Sequence, residues 1–262
     1  MWKRELAVAQ EAAFAAGKRL KSTLGHVNHI SKKGDIDLVT EADLEAETLI
    51  LGIIRRHFPE DGLLSEEAGG RKEDSRRVWL IDPLDGTTNF AHGFPLFAVS
   101  IALETDGEVV LGVVYNPYME ECFQAVKGSG AYLNQERIQV SHTRGLQGAL
   151  LGTGFPYDIQ ERPQRVLELF RRMILVAQGV RRPGSAAIDL CYLAAGRLDG
   201  FWEEGLNPWD TAAGMVIVKE AGGRVTTYED RPFSPYEKSI VAANPFIHEK
   251  MIKIINDKAF ET

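Results

Sequence analysis

The stretch Val78-Trp79-Leu80-Ile81-Asp82-Pro83-Leu84-Asp85-Gly86-Thr87-Thr88-Asn89 constrains the fold more than any other part of this chain. Val78 to Ile81 reads as a buried strand. Pro83 has no N–H to give to a ladder, so Asp82 is expected at the strand's carboxyl end with its side chain facing a crevice, and Asp85 on the turn that follows. Two carboxylates held this close repel one another unless cations lie between them. Hard cations such as Mg2+ take oxygen ligands of this kind, with water and phosphate completing the shell. Gly86-Thr87-Thr88 can then open a helix whose unpaired N–H groups point at an anion. A plain surface turn would also use Asp, Pro and Gly, each for local reasons.

Three further segments bear on that choice. Asp37-Leu38-Val39-Thr40-Glu41-Ala42-Asp43 is a short apolar strand leading into a helix that carries Glu45, Glu47, Leu49, Ile50 and Ile53, with Thr40 placed as its cap. Leu63-Leu64-Ser65-Glu66-Glu67-Ala68-Gly69 sets two acids after an apolar pair, a pattern that by itself commonly marks a solvated face. Gly200-Phe201-Trp202-Glu203-Glu204-Gly205-Leu206-Asn207-Pro208-Trp209-Asp210 precedes the small residues Thr211 to Gly214. Asp210 there reads as a dipole-compatible cap of a closely packed helix, and Trp202 and Trp209 as packing residues. Between these segments, Gly184-Ser185-Ala186-Ala187 suits either close approach of backbone to a ligand or tight helix packing. The arginine pairs 171-172 and 181-182 are open between solvated charge and substrate or subunit contacts.

Together and in this order, the segments resemble the inositol monophosphatase family of Mg2+-dependent, lithium-sensitive phosphatases, over nearly the whole chain. The resemblance implies metal ligands at Glu66, Asp82, the Leu84 carbonyl, Asp85 and Asp210, holding about two or three Mg2+ ions. It implies that Asp43 and Thr87 orient a nucleophilic water, and that Glu66 and Asp82 belong to the catalytic centre. Substrate would meet Asp85, Gly86, Thr87, Gly184, Ser185, Ala186, Glu203 and Asp210, with Glu203 on its hydroxyls. Ser65 and Ala68 depart from the family's commoner Gly-Glu-Glu-Ser without removing the ligand between them. The implied reaction is hydrolysis of a phosphate monoester, myo-inositol monophosphate first, by metal-activated water with no phosphoenzyme. Fructose-1,6-bisphosphatase activity is the runner-up, ahead of nucleotide 3'-phosphatase and histidinol-phosphatase. From other classes come a binding partner of the transcription machinery and ribosomal RNA, as for some bacterial relatives, and a catalytically dead metal-binding regulator. The last is disfavoured because every expected acid is present. The family also implies a homodimer.

A length of 262 residues with 44% hydrophobic content suffices for a large core shared by two lobes. The formal net charge of -7 argues against a general nucleic-acid surface, which is ordinarily basic. The two cysteines, Cys122 and Cys191, lack metal-ligand spacing and read as buried free thiols in a reducing compartment. The opening stretch to Lys21 is amphipathic rather than a secretory signal, and no apolar run approaches the roughly 18 to 20 residues that span a bilayer, so the expected location is the cytoplasm.

Periodicity predicts helices at about 4–22, 41–57, 161–178, 185–196, 209–221 and from 246. Strands are predicted at 78–82, 97–104, 109–115, 121–126, 131–133, 138–140, 149–153, near 180, 224–227 and 239–242, with Asp106-Gly107 as a hairpin turn. A polar, glycine-bearing segment at 141–148 divides an amino-terminal lobe, 1–145, from a carboxyl-terminal lobe, 146–262. The pattern alone gives an α/β or α+β sandwich. The resemblance sharpens it to the layered αβαβα architecture of the sugar phosphatases.

Overall fold

Trp79 and Ile81 pack against one layer of helices while Val78 and Leu80 pack against another, and this alternation along a single strand sets the order of the layers. The computed structural model describes residues 2–25, 30–32, 38–70, 75–156, 158–161 and 163–257, with side chains for all of these except 30–32 and 38–40. Asp37 and the Thr40 side chain, read above as a helix cap, lie outside the described residues.

The first layer is a pair of helices, α1 (Lys3–Thr23) and α2 (Glu41–His57), separated by the short antiparallel strands β1 (Ile30–Lys32) and β2 (Leu38–Thr40). Ala9, Ala12, Ala13 and Ala16 form the buried stripe of α1, and such small side chains let α2 come close with Ala42, Ala46, Ile50 and Ile54.

Beneath them lies a seven-stranded sheet in sequential order. Its strands are β3 (Gly62–Ser65), β4 (Arg77–Asp85), β5 (Ala98–Thr105), β6 (Glu108–Asn116), β7 (Glu121–Val126), β8 (Ala131–Leu133) and β9 (Glu136–Ile138), with α3 (Thr87–Ala91) between β4 and β5. β3 and β4 run parallel and every later pair is antiparallel. The second sheet has the order β11-β10-β12-β14-β13. The elements of this second part are, in chain order, β10 (Leu150–Thr153), α4 (Pro163–Val176), β11 (Gly179–Arg181), α5 (Ala186–Ala194), β12 (Gly200–Glu204), α6 (Pro208–Glu220), β13 (Arg224–Thr226), β14 (Ser239–Ala243) and α7 (His248–Ile255).

The helices α5 and α6 fill the space between the sheets. Val78, Leu80 and Ala102 reach them from one side, and Phe201, Ile240 and Ala242 from the other. A Cβ at Gly112 of β6 would sit 2.6 Å from the Ala213 carbonyl, and one at Gly214 would sit 2.6 Å from Leu190, so α6 lies on sheet and neighbouring helix with no room for larger residues. On the outer face, Trp202, Val241 and Ala243 pack against Leu169, Met173 and Met251 of α4 and α7. The layers therefore run helix, sheet, helix, sheet, helix, as expected.

Four local expectations are corrected or extended. β4 does not end at Asp82: it continues through Pro83 to Asp85, and its register with β5 jumps from Asp82 opposite Ser100 to Asp85 opposite Ala98. The bulge accommodates the residue that cannot donate. β9 begins two residues before Ile138, because Asn134 (φ 47) and Gln135 (φ 73) form the tight turn. Asp106 (φ 51) and Gly107 (φ 80) make the expected turn of the same kind. β3 and β12 were not read as strands, and β12 proves central to the second sheet because it pairs with both β10 and β14.

Both cysteines are buried free thiols, and burial pushes Cys122 up to about 12. Arg171 pairs with Glu168, and the buried Arg172 bonds Glu168 and the carbonyls of Ile254 and Asp257, which ties α4 to α7. Among the described residues, no helix is long and apolar enough to cross a membrane.

Candidate active site

Asp82 and Asp85 are three residues apart, so on a regular strand they would face opposite sides of the sheet. The bulge at Pro83-Leu84 cancels that alternation, and both line one cleft with a cavity volume of about 280 Å3. Leu84 N–H donates to Asp82 Oδ1 at 2.9 Å, which fixes the carboxylate against its own turn. Gly86 follows at φ +91, and a Cβ there would lie 3.0 Å from the Leu96 carbonyl and 3.2 Å from that of Gly184, so both the backbone angle and the space require glycine.

Glu66 arrives because β3 lies parallel to β4: Ser65 pairs with Ile81, and Glu66 N–H donates to the Ile81 carbonyl at 3.2 Å. Asp210 comes from the first turn of α6. It is the third residue of that helix and not its cap; Asn207 is the cap, and its N–H donates to Asp210 Oδ2 at 2.7 Å. Ser100, opposite Asp82 on β5, donates to the Trp209 carbonyl at 3.1 Å and so pins that turn to the sheet.

Thr87 Oγ1 lies 3.0 Å from the Leu84 carbonyl and 3.2 Å from Asp43 Oδ1. Asp43 is buried on α2 and does not itself line the cleft; it reaches it through Thr87. Across the cleft, Ser185 Oγ and Ala187 N–H donate to Asp85 Oδ2 at 2.6 and 2.7 Å, so the start of α5 is fastened to the end of β4. Asn89 adds two bonds from its amide, to the carbonyls of Leu96 and Pro183. Gly184, Ser185 and Ala186 line the cleft while Ser185 also caps α5, so the small residues serve close approach and packing together. Glu203 projects from β12, and Gly154 makes room for it, since a Cβ there would fall on the carboxylate.

All the expected site residues are thus brought together, Asp43 through one intermediary. Sequence reasoning missed Asp189 and left Arg182 undecided. Arg182 is the one cation among the described residues lining the cleft, and its guanidinium packs 5.7 Å from the Phe155 ring centre. Asp189 sits on α5 four residues after the Ser185 cap, buried at 1% exposure, and neither of its oxygens has a hydrogen-bond partner among the described residues. An acid in the middle of the apolar run Ala186 to Leu193 was the available signal.

The acids raise one another. Burial pushes Asp82 well above the usual carboxylate range, and Glu66, Asp85 and Asp210 add to it. Asp210 is raised for the same first reason, against the Asn207 N–H. Burial lifts Asp85 to about 6 although Ser185, the α5 backbone and Arg182 oppose the shift. Glu203 is lifted to about 8, with Arg182 opposing, and Asp189 well above its ordinary range by burial and by Glu203. Burial thus favours the protonated form of these acids unless other cations enter, and the carboxylate and carbonyl donors suit hard divalent ions. Among the described residues, no three His, Cys, Asp or Glu side chains converge on a single metal-binding point. Mg2+ does not require that arrangement, because it keeps several waters and takes one or two carboxylates with substrate oxygens.

The comparisons with known proteins agree with this geometry. Residues 1–259 match the model of the inositol monophosphatase family. The chain is 49% identical over 248 residues to an inositol-1-monophosphatase of Synechocystis, covering 94% of this chain and 86% of that one. It is 43% identical over 243 residues to the Nus factor SuhB of Vibrio cholerae, covering 92% and 91%. The crystal structure of the extragenic suppressor protein SuhB from Bartonella henselae superposes with a TM-score of 0.93 at 42% identity, covering 98% of this chain and all of the other. The chain belongs to the inositol monophosphatase family and is a phosphatase of that metal-dependent kind.

Proposed function

We propose that the protein hydrolyses monophosphate esters of small polyols, myo-inositol monophosphate first among them, with Mg2+ as the cofactor. The observation that carries the reading is the convergence of Glu66, Asp82, Asp85 and Asp210 on one polyol-sized cleft beside the Gly86-Thr87 backbone. Those four carboxylates and the Leu84 carbonyl hold the ions, which when bound supply Lewis-acid activation of water and neutralise phosphate charge. Thr87 directs its hydroxyl proton to Asp43 or to the Leu84 carbonyl and offers the remaining lone pair to the attacking water. When the proton is turned to Asp43, that carboxylate is the acceptor behind the hydroxyl. The N–H groups of Gly86 and Thr87 hold phosphate oxygens. Arg182 balances the charge of the carboxylates and of the ester.

Glu203, raised to about 8, receives or donates hydrogen bonds at the polyol hydroxyls, and Gly184, Ser185 and Ala186 form the wall against which the ring rests. No side chain needs to attack phosphorus, so no phosphoenzyme forms. The chain acts as two lobes, 1–145 and 146–262, with the cleft between them, as a homodimer in the cytoplasm, and lithium slows it. Phosphate release in Mg2+ from inositol monophosphates, fructose 1,6-bisphosphate, adenosine 3',5'-bisphosphate and histidinol phosphate tests the substrate. Inositol phosphate is expected to lead; preference for the fructose ester would replace the first reading by its runner-up.

The Nus factor name of the Vibrio cholerae relative supports a second reading, association with the transcription machinery. The charge of -7 favours a protein partner over RNA. Pull-down of transcription factors with an Asp82→Asn protein would separate that role from catalysis.

A further inference from the structure

Glu66 reaches the cleft from the short turn after β3. Two backbone bonds shape this turn, Glu66 N–H to the Ile81 carbonyl at 3.2 Å and Gly69 N–H to the Ser65 carbonyl at 3.1 Å. Behind it stands Glu47 of α2, 6% exposed. A single oxygen of Glu47, Oε1, accepts the Ser65 hydroxyl, the Glu67 N–H at 3.1 Å and the Ala68 N–H at 2.9 Å. The donors flank Glu66 on both sides in sequence, so the grip leaves the Glu66 side chain to line the cleft. Three hydrogen bonds on one carboxylate oxygen fix the turn against a rigid helix.

Two features make this more than loop packing. Serine at 65 adds a buried side-chain donor to the two backbone N–H groups on the same Glu47 oxygen. Glu47 also lies four residues after Asp43, one helical turn along the same face of α2. One turn of one helix therefore presents Asp43 to Thr87 and Glu47 to the Glu66 turn.

We propose that Glu47 is a positioning residue which, through Ser65 and the N–H groups of Glu67 and Ala68, holds Glu66 ready for the divalent ion and so sets the ion's affinity. The proposal rests on the cation-binding reading of Glu66. Without the clamp, cation binding must also order the turn, and that ordering entropy weakens it.

Mn2+ binding followed by electron paramagnetic resonance, with Mg2+ competition and no substrate, tests it. Glu47→Ala is expected to weaken Mn2+ binding about 10- to 100-fold, the usual effect of losing a group that orients a ligand. Glu47→Gln, which keeps one acceptor oxygen but replaces the carboxyl group by an amide, should weaken it roughly 3- to 10-fold, and Ser65→Ala about 2- to 5-fold. Ile50→Val on the same helix should lower the unfolding temperature of the metal-free protein and leave the affinity unchanged. Affinities within about twofold of the unsubstituted protein for Glu47→Ala overturn the proposal; if that variant does not fold, the same result for both Glu47→Gln and Ser65→Ala overturns it. An equal loss of affinity in Ile50→Val also overturns it, by making the effect one of general destabilisation. No Mn2+ binding by the unsubstituted protein removes the cation reading and the clamp together, whereas altered substrate preference with these affinities intact touches only the substrate assignment.

Discussion

The two walls of the cleft are built differently. On the β4 wall, Asp82 is tied to the Leu84 N–H, Asp85 to Ser185 and Ala187, and the Glu66 turn to Glu47, so the carboxylates are oriented without help from a ligand. On the opposite wall, Asp189 has no hydrogen-bond partner among the described residues and Glu203 occupies a space left by Gly154. An oriented wall suits ions that demand fixed geometry, and a wall where the buried acid Asp189 lacks hydrogen-bond partners among the described residues suits a ligand that brings its own hydroxyls.

The largest effect should come from breaking the oriented wall. Asp82→Asn is expected to lower kcat by about 10^3-fold or more with the fold retained, because it removes a charge that the transition state needs. Near-normal turnover with this protein would remove Asp82 from the centre. On the other wall, Glu203→Ala should raise KM for the polyol ester roughly 10-fold while kcat falls less, the cost of leaving buried hydroxyls without their partner. Loss in kcat alone would place Glu203 on the reacting atoms instead.

The pH dependence separates the walls from bulk stability. Burial raises Asp85 from 3.8 to about 6 and Glu203 from 4.5 to about 8, so the folded metal-free protein binds these protons more tightly than the unfolded chain. Their contribution to stability is full below about pH 4 and is lost as pH rises through 6 to 8. The unfolding temperature in EDTA should therefore fall across that window, and Mg2+ should restore it most at the alkaline end. A Mg2+ effect independent of pH would count against carboxylates as its receptors.

Smaller effects sharpen the contrast. Ser185→Ala removes one of the bonds on Asp85 and should cost about 1 kcal/mol in Mg2+ binding. Asp189→Asn should make the stability of the metal-free protein fall less steeply as pH rises, since burial disfavours ionising the acid and the amide cannot ionise. A drop in unfolding temperature would show that Asp189 has a cationic or hydroxyl partner of its own.

The layers and the run of acids at the end of β4 were legible because their signals are local. Alternation in Val78-Trp79-Leu80-Ile81 carries the packing of two helical layers, and Asp82, Asp85, Gly86 and Thr87 stand within six consecutive residues. Continuation of β4 through Pro83 was not legible, because proline argues locally against a strand and the pairing with β5 outweighs it. β12 was missed for a related reason: three of its five residues, Gly200, Glu203 and Glu204, are glycine or acidic, and it becomes a central strand only because β10 and β14 flank it.

By itself, then, the sequence determined which side chains carry charge, where the tight turns fall at Asp106-Gly107 and Asn134, and which face of each long helix is apolar. Only the tertiary structure decided that Glu47 faces the Glu66 turn, that Ser185 and Ala187 bond Asp85 from about a hundred residues away, and that Arg182 and Asp189 share the cleft with Glu66, Asp82 and Asp85. Turns and helix faces follow from interactions within a few residues. Contacts between distant segments follow from how whole layers stack, and no short window of sequence contains that.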